Sequence, residues 1–120
     1  MDATRSPDRW LEGIELFNAG RFFECHEAWE DVWKKARGEE RLFVQGMIQM
    51  AVAILHAQRG NARGARSVWN KARDKLESAP AARTALALGS LCGAVDSFIE
   101  AAERGTEPAA LPAPPRIERL

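Results

Sequence analysis

Between Gly20 and Trp33 the chain reads Gly-Arg-Phe-Phe-Glu-Cys-His-Glu-Ala-Trp-Glu-Asp-Val-Trp. At about 100° per residue, Trp29 and Trp33 fall within about 20° of Phe22, so three aromatic rings share one line of a helix. His26 stands about 40° and Glu30 about 80° from that line, four residues apart and therefore side by side. An imidazole and a carboxylate at the margin of an aromatic stripe need polar partners. The stretch therefore predicts an amphipathic helix with a site on its edge.

The flanking segments extend the helical pattern. Ser6-Pro7-Asp8 reads as a helix start with Ser6 as cap and Pro7 in the first turn. Trp10, Leu11, Ile14 and Phe17 follow at helical spacing, and Asn18-Ala19-Gly20 stops the helix. The second helix runs from about Phe22 to Ala36, acidic in its first half and basic at its end, and Gly38 closes it. From Leu42 to Ala57 no residue is charged and apolar side chains appear nearly all the way round, which predicts a central third helix over 39–58. Its polar residues Gln45, Gln49 and His56 gather in a sector about 40° wide. Gly46, Ala51, Ala53 and Ala57 would let neighbouring helices come close. Asn61 reads as the cap of a fourth helix ending near Ser78, with Ala65, Val68, Trp69, Ala72 and Leu76 inward. Pro80 closes that helix, and a fifth is expected from about Ala82 to Arg104. Four prolines between Pro108 and Pro115 predict a non-helical tail, extended or disordered.

The expected fold is therefore all-α: one bundle of four to five helices over 1–105, with a Pro-rich tail over 106–120. No strand pattern appears. Gly20, Cys25, Trp29 and Val32 are echoed forty residues later by Gly60, Ala65, Trp69 and Ala72. That echo resembles the second helix of tetratricopeptide-like hairpins and suggests two related hairpins packed together.

A chain of 120 residues with 46% hydrophobic and 28% charged residues is an ordinary single globular domain. Zero formal net charge gives no field to recruit nucleic acid or an anionic membrane. Arg63, Arg66, Lys71, Arg73 and Lys75 read as a solvated face of the fourth helix, interrupted by acids and without aromatic interleaving. Cys25 and Cys92 stand at apolar positions and read as reduced thiols. With no apolar leader in the first ten residues and no membrane-length apolar run, a cytoplasmic protein is expected.

The blocks Gly-Arg-Phe-Phe-Glu-Cys-His-Glu-Ala-Trp-Glu-Asp-Val-Trp, Gln45 to His56, and Arg59 to Ala65 together resemble the small bacterial and plastid domain-of-unknown-function family numbered 309. The resemblance covers about Asn18 to Leu76, half of the chain. It implies an all-helical bundle with a ligand or metal pocket around the His-Glu block, and no particular activity. The family pattern falls on Glu24, His26, Glu27, Trp29, Glu30 and Trp33, then on Gln45, Gln49 and His56, then on Gly60, Asn61, Gly64 and Ala65. Trp29 stands where a leucine is common, a change compatible with packing.

Three readings of the His-Glu block follow. Glu24, His26, Glu27, Glu30, Trp33, Gln45, Gln49 and His56 could line a polar pocket for a small ligand or a partner's side chain, the leading reading. His26-Glu27-Ala28-Trp29-Glu30 also has the frame of the zinc-protease motif with glutamate last. His26, Glu30 and His56 could then hold zinc or ferrous iron in a small metal-dependent enzyme, with Glu27 as base. The third reading is a purely structural polar network. Cys25 adjoins His26 in sequence but points about 100° away, which argues against a thiol nucleophile. The apolar excess is compatible with a homodimer.

Overall fold

The computed structural model describes residues 8–78 and 86–118. Five helices follow in order: α1 Arg9–Asn18, α2 Phe22–Lys35, α3 Gly38–Gln58, α4 Ala62–Ser78 and α5 Leu88–Glu103. No strand forms among the described residues, and no helix there is long and apolar enough to cross a membrane. The chain is the all-α bundle its periodicity predicts.

Helix boundaries differ from the sequence expectation where a cap competes with a pattern. Helix α1 begins at Arg9, and Asp8, not Ser6, is its cap: the Leu11 N–H donates to Asp8 Oδ1 at 3.1 Å. Ser6, Pro7 and Pro80 lie outside the described residues. Helix α2 ends at Lys35, and Gly38 opens α3 rather than closing α2. Among the described residues helix α5 spans Leu88–Glu103, and just before it the Ala87 N–H donates to Glu118 O at 3.0 Å; the expected start at Ala82 lies outside the described residues. Asn61 caps α4 as expected, accepting from the Gly64 N–H at 3.0 Å.

Gly20 and Gly60, the paired glycines of the forty-residue echo, occupy the same conformation with φ of 77° and 80°. Each follows a helix end where the next residue's N–H reaches back a full turn, Arg21 to Leu16 O at 2.9 Å and Asn61 to His56 O at 2.8 Å. That geometry satisfies the orphan carbonyls of the helix terminus and requires the left-handed region that glycine enters cheaply. The two turns send α2 and α4 back along their predecessors.

Helix α3 packs most extensively against α4 and then against α2, which in turn packs on α1; α5 rests on α3 and α4. The α3–α4 approach is close because Gly46 has no side chain. A Cβ there would meet Leu76 Cδ2 and Lys75 Cβ at 3.1 Å and the Ala72 carbonyl at 3.2 Å. A second close approach joins α1 to α2. Trp29 is fully buried and lies over Gly13, where an added Cβ would fall 2.1 Å from Trp29 Nε1. Its ring stacks on Trp10 (5.4 Å between centroids) and Phe17 (6.0 Å), and its N–H donates to the Trp10 carbonyl at 3.2 Å.

The tail is neither free nor wholly non-helical. Pro108–Ala110 form one 3-10 turn, and the extended chain beyond it returns to the bundle with Ile117 buried. Asn18 clamps Ile117 on both backbone groups: its Nδ2 donates to Ile117 O at 3.0 Å, and the Ile117 N–H donates to its Oδ1 at 2.7 Å. The proline composition correctly predicts the lack of regular helix, but it carries no sign of this distant clamp.

Gly13→Ala is expected to lower stability by about 2–3 kcal/mol despite the better helix propensity of alanine, because the new methyl displaces a fully buried indole. A denaturant midpoint equal to that of the parent would refute the Gly13–Trp29 contact. Ile117→Ala is expected to cost about 2 kcal/mol or more and to speed proteolysis between residues 104 and 116. Cleavage at the parental rate would show that the tail is not seated.

Candidate functional site

Trp29 turns α2 so that its neighbours on the wheel face α3. His26, Glu30 and Trp33 of α2 and Gln45 and Gln49 of α3 are all half-buried. The Arg41 guanidinium lies 3.9 Å over the Trp33 ring, a cation–π contact that sets the register of the antiparallel α2–α3 hairpin.

His26 Nε2 and Glu30 Oε1 are 2.8 Å apart, the i,i+4 pair the wheel predicts. Phe23, exposed at 56%, stacks beside the imidazole with centroids 6.2 Å apart. Among the described residues four buried side-chain polar atoms have no hydrogen-bond partner: Glu12 Oε1, His26 Nδ1, Trp33 Nε1 and Gln49 Oε1. Glu12 binds Arg9 through its other oxygen at 2.7 Å. The remaining three belong to α2 and α3. An unmade hydrogen bond at a buried atom costs about 1–3 kcal/mol, so three on one helix pair is a concentrated cost.

Other predicted site residues lie elsewhere. Glu24 turns toward Arg21, whose Nε donates to it at 2.8 Å, and that bond holds the Glu24 carboxyl below the usual carboxylate range. Glu27 is exposed to solvent. His56 sits two turns beyond Gln49, and its Nδ1 is 3.2 Å from Asn61 Nδ2 at the α3–α4 turn. No group of three or more His, Cys, Asp or Glu side chains suited to a metal ion forms among the described residues, so His26, Glu30 and His56 do not make one. Burial pushes both the Cys25 and Cys92 thiols up, away from the reactive thiolate.

The basic face of α4 is partly neutralised by α5. Arg66 donates to both Glu103 oxygens, at 3.0 and 2.7 Å. Asp96 accepts from the Trp69 N–H at 2.6 Å and pairs with Arg73, which also lies 3.6 Å from Glu77.

Sequence reasoning missed a cleft of about 590 Å³ on the opposite edge of α2, lined by Arg9, Trp10, Asp31, Val32, Lys35 and Glu40 among others. Arg9 there is held by Glu12 and, at 3.0 Å, by Asp31. Its walls come from three helices at unrelated spacings, so no local motif announces it.

His26→Ala is expected to leave helical content unchanged and to cost about 1 kcal/mol or less, since the residue is 27% exposed and makes one side-chain bond. Circular dichroism showing lost helix would make the imidazole a structural element.

The model of the domain of unknown function DUF309 matches residues 10–68. The resemblance expected over 18–76 therefore extends to α1 and stops within α4. The "Uncharacterized protein YpuF" of Bacillus subtilis (strain 168) is 39% identical over 62 residues, which cover 50% of this chain and 36% of that protein. The chain thus spans about a third of the length of the curated relative it matches. No solved structure matches. The matched residues run from the start of α1 into α4 and contain all of α2 and α3, and over them, about half of its length, the chain resembles the DUF309 family.

Proposed function

We propose that the chain is a binding module whose recognition surface is the polar seam between α2 and α3, with His26, Glu30, Trp33 and Gln49 as its reading residues. The observation that supports this most directly is the grouping of three unpartnered buried polar atoms on one helix pair. Native structures satisfy such atoms unless a ligand, a partner or a bound water does so in their place. The seam also has an edge open to solvent, since the side chains of His26 and Glu30 are 27% and 43% exposed. A small polar ligand or a partner's side chain could reach it past Phe23.

The metal-enzyme reading has the His26–Glu30 pair in its favour and lacks a third ligand among the described residues. A purely structural network would pair its members, and these three atoms are not paired with one another.

Residues kept for binding at the expense of stability give themselves away when replaced by apolar isosteres. Gln49→Leu is expected to raise stability by about 1–2 kcal/mol, because it removes a buried acceptor without a partner while retaining volume. Chemical denaturation measures it. A destabilised variant would mean that Gln49 is satisfied in the folded chain and that the seam is structural.

A further inference from the structure

We infer that the outer face of α3 is the contact between two copies of this chain. This is independent of the binding reading above and uses side chains on the surface of the molecule. Two contacts mark the sides of α3. Arg41 lies 3.9 Å over Trp33 and marks the side of α2. Gly46, where an added Cβ would stand 3.1 Å from Lys75 Cβ, marks the side of α4. Between those directions Leu42, Gln45, Gln49, Val52 and His56 fall in an arc about 80° wide, and none of them is buried. Phe43, Val44, Met47, Met50 and Ile54 face inward and are fully buried. The outer arc holds no acid, lysine or arginine, although a surface helix ordinarily places its charges there. A strip emptied of charge and rimmed by it has the composition of a protein–protein contact.

The two rims carry opposite charge. On α2, Phe23 and Glu27 are exposed on the outer side of the edge that holds His26 and Glu30. Phe23 and Leu42 are the large apolar side chains exposed among the described residues, and both border this face. Lys34 ends the α2 edge one turn past Glu30, which leaves two acids at its middle. On α4, Arg66 and Arg73 turn to Glu103 and Asp96 of α5. Val68, Lys71 and Lys75 stand about 140–160° round the helix from Arg73, on the edge beside α3, and Asp74 points away from it. Among the described residues Glu27, Lys71 and Lys75 enter no ion pair within the chain.

One symmetry operation satisfies both rims. A two-fold axis running along α3 sets the two α3 helices face to face and lays α2 of each copy over α4 of the other, acid on base twice. A two-fold across α3 would stack acid on acid and base on base. An unrelated partner would have to carry both signs in the reverse order, and a second copy already does. The face is also large enough. Helix α3, with 21 residues, is about 31 Å long, and helices about 8–10 Å apart make the face about 25 Å wide. That is roughly 800 Å² a side, the area of a stable interface.

Sedimentation velocity of the full chain at about 0.1 mM, above the micromolar end of the affinities such interfaces reach, tests the inference. The expected species is a dimer, twice the 13.3 kDa of the chain. A monomer would overturn the inference. Val52→Glu sets two carboxylates in the middle of the strip and should give a monomer with parental helical content by circular dichroism. A Val52→Glu dimer of parental affinity would move the contact off α3 and overturn the inference as well. Lys71→Glu, on the exposed edge, should weaken the dimer roughly tenfold, because the two-fold repeats each like-charge contact. Adding Glu27→Lys to it should restore parental affinity. An unaffected single variant, or a double variant as weak as the single one, overturns the seating of α2 on α4 and with it the proposed contact.

Discussion

An indole pressed onto a glycine governs the arrangement of this bundle. Trp29 reaches full burial only because Gly13 has no side chain, and its N–H is satisfied by the Trp10 carbonyl. The contact fixes both the distance between α1 and α2 and the rotation of α2 about its axis. Once Trp29 points at α1, the residues on its flank have no freedom left. His26, Glu30 and Trp33 must lie along α3, and Asp31, Val32 and Lys35 must line the cleft on the far edge. The packing of one core side chain thus decides which polar residues can act together.

Helix α3 shows the complementary constraint. It is apolar almost all the way round, and among the described residues its main helical neighbours are α2, α4 and α5. Gly46 lets α4 come close enough for backbone and side chain to interlock on one side. The flank with Gln45, Gln49 and Val52 is half-buried and carries the polar line. The amide oxygen of Gln49 therefore sits where solvent is excluded but the neighbouring helix offers no donor.

What could be read in advance follows from the range of the interactions. The charge-free run Leu42 to Ala57, the acid-to-base order of α2 and the Asn61 cap are local, and each appears in the structure in its expected place. The His26–Glu30 pair was legible for the same reason, being one turn of one helix. Contacts between helices were not. Gly13 looks like a weak point of α1 until Trp29 is laid over it. Glu24 belongs to the same block as His26, but Arg21 draws it away, and His56 shares a wheel sector with Gln49 while its ring engages Asn61 two turns on. A helical wheel reports direction and omits the competing partner at each level.

The Asn18 clamp on Ile117 closes a loop of nearly the whole chain, its two ends separated by 99 positions in sequence. Loop closure of that length carries a large entropic cost, whereas the α1–α2, α2–α3 and α3–α4 pairings join neighbouring segments. Among the described residues the topology therefore combines these three successive local pairings with a long-range stitch. Local pairings of this kind form fast, and contacts of high sequence separation form late. The same stitch ties α1 to the start of α5 through residues 117 and 118, so helices remote in sequence are held as one cooperative unit by a segment outside the family-matched region. Relatives that share only that region would have to close their bundles by other means.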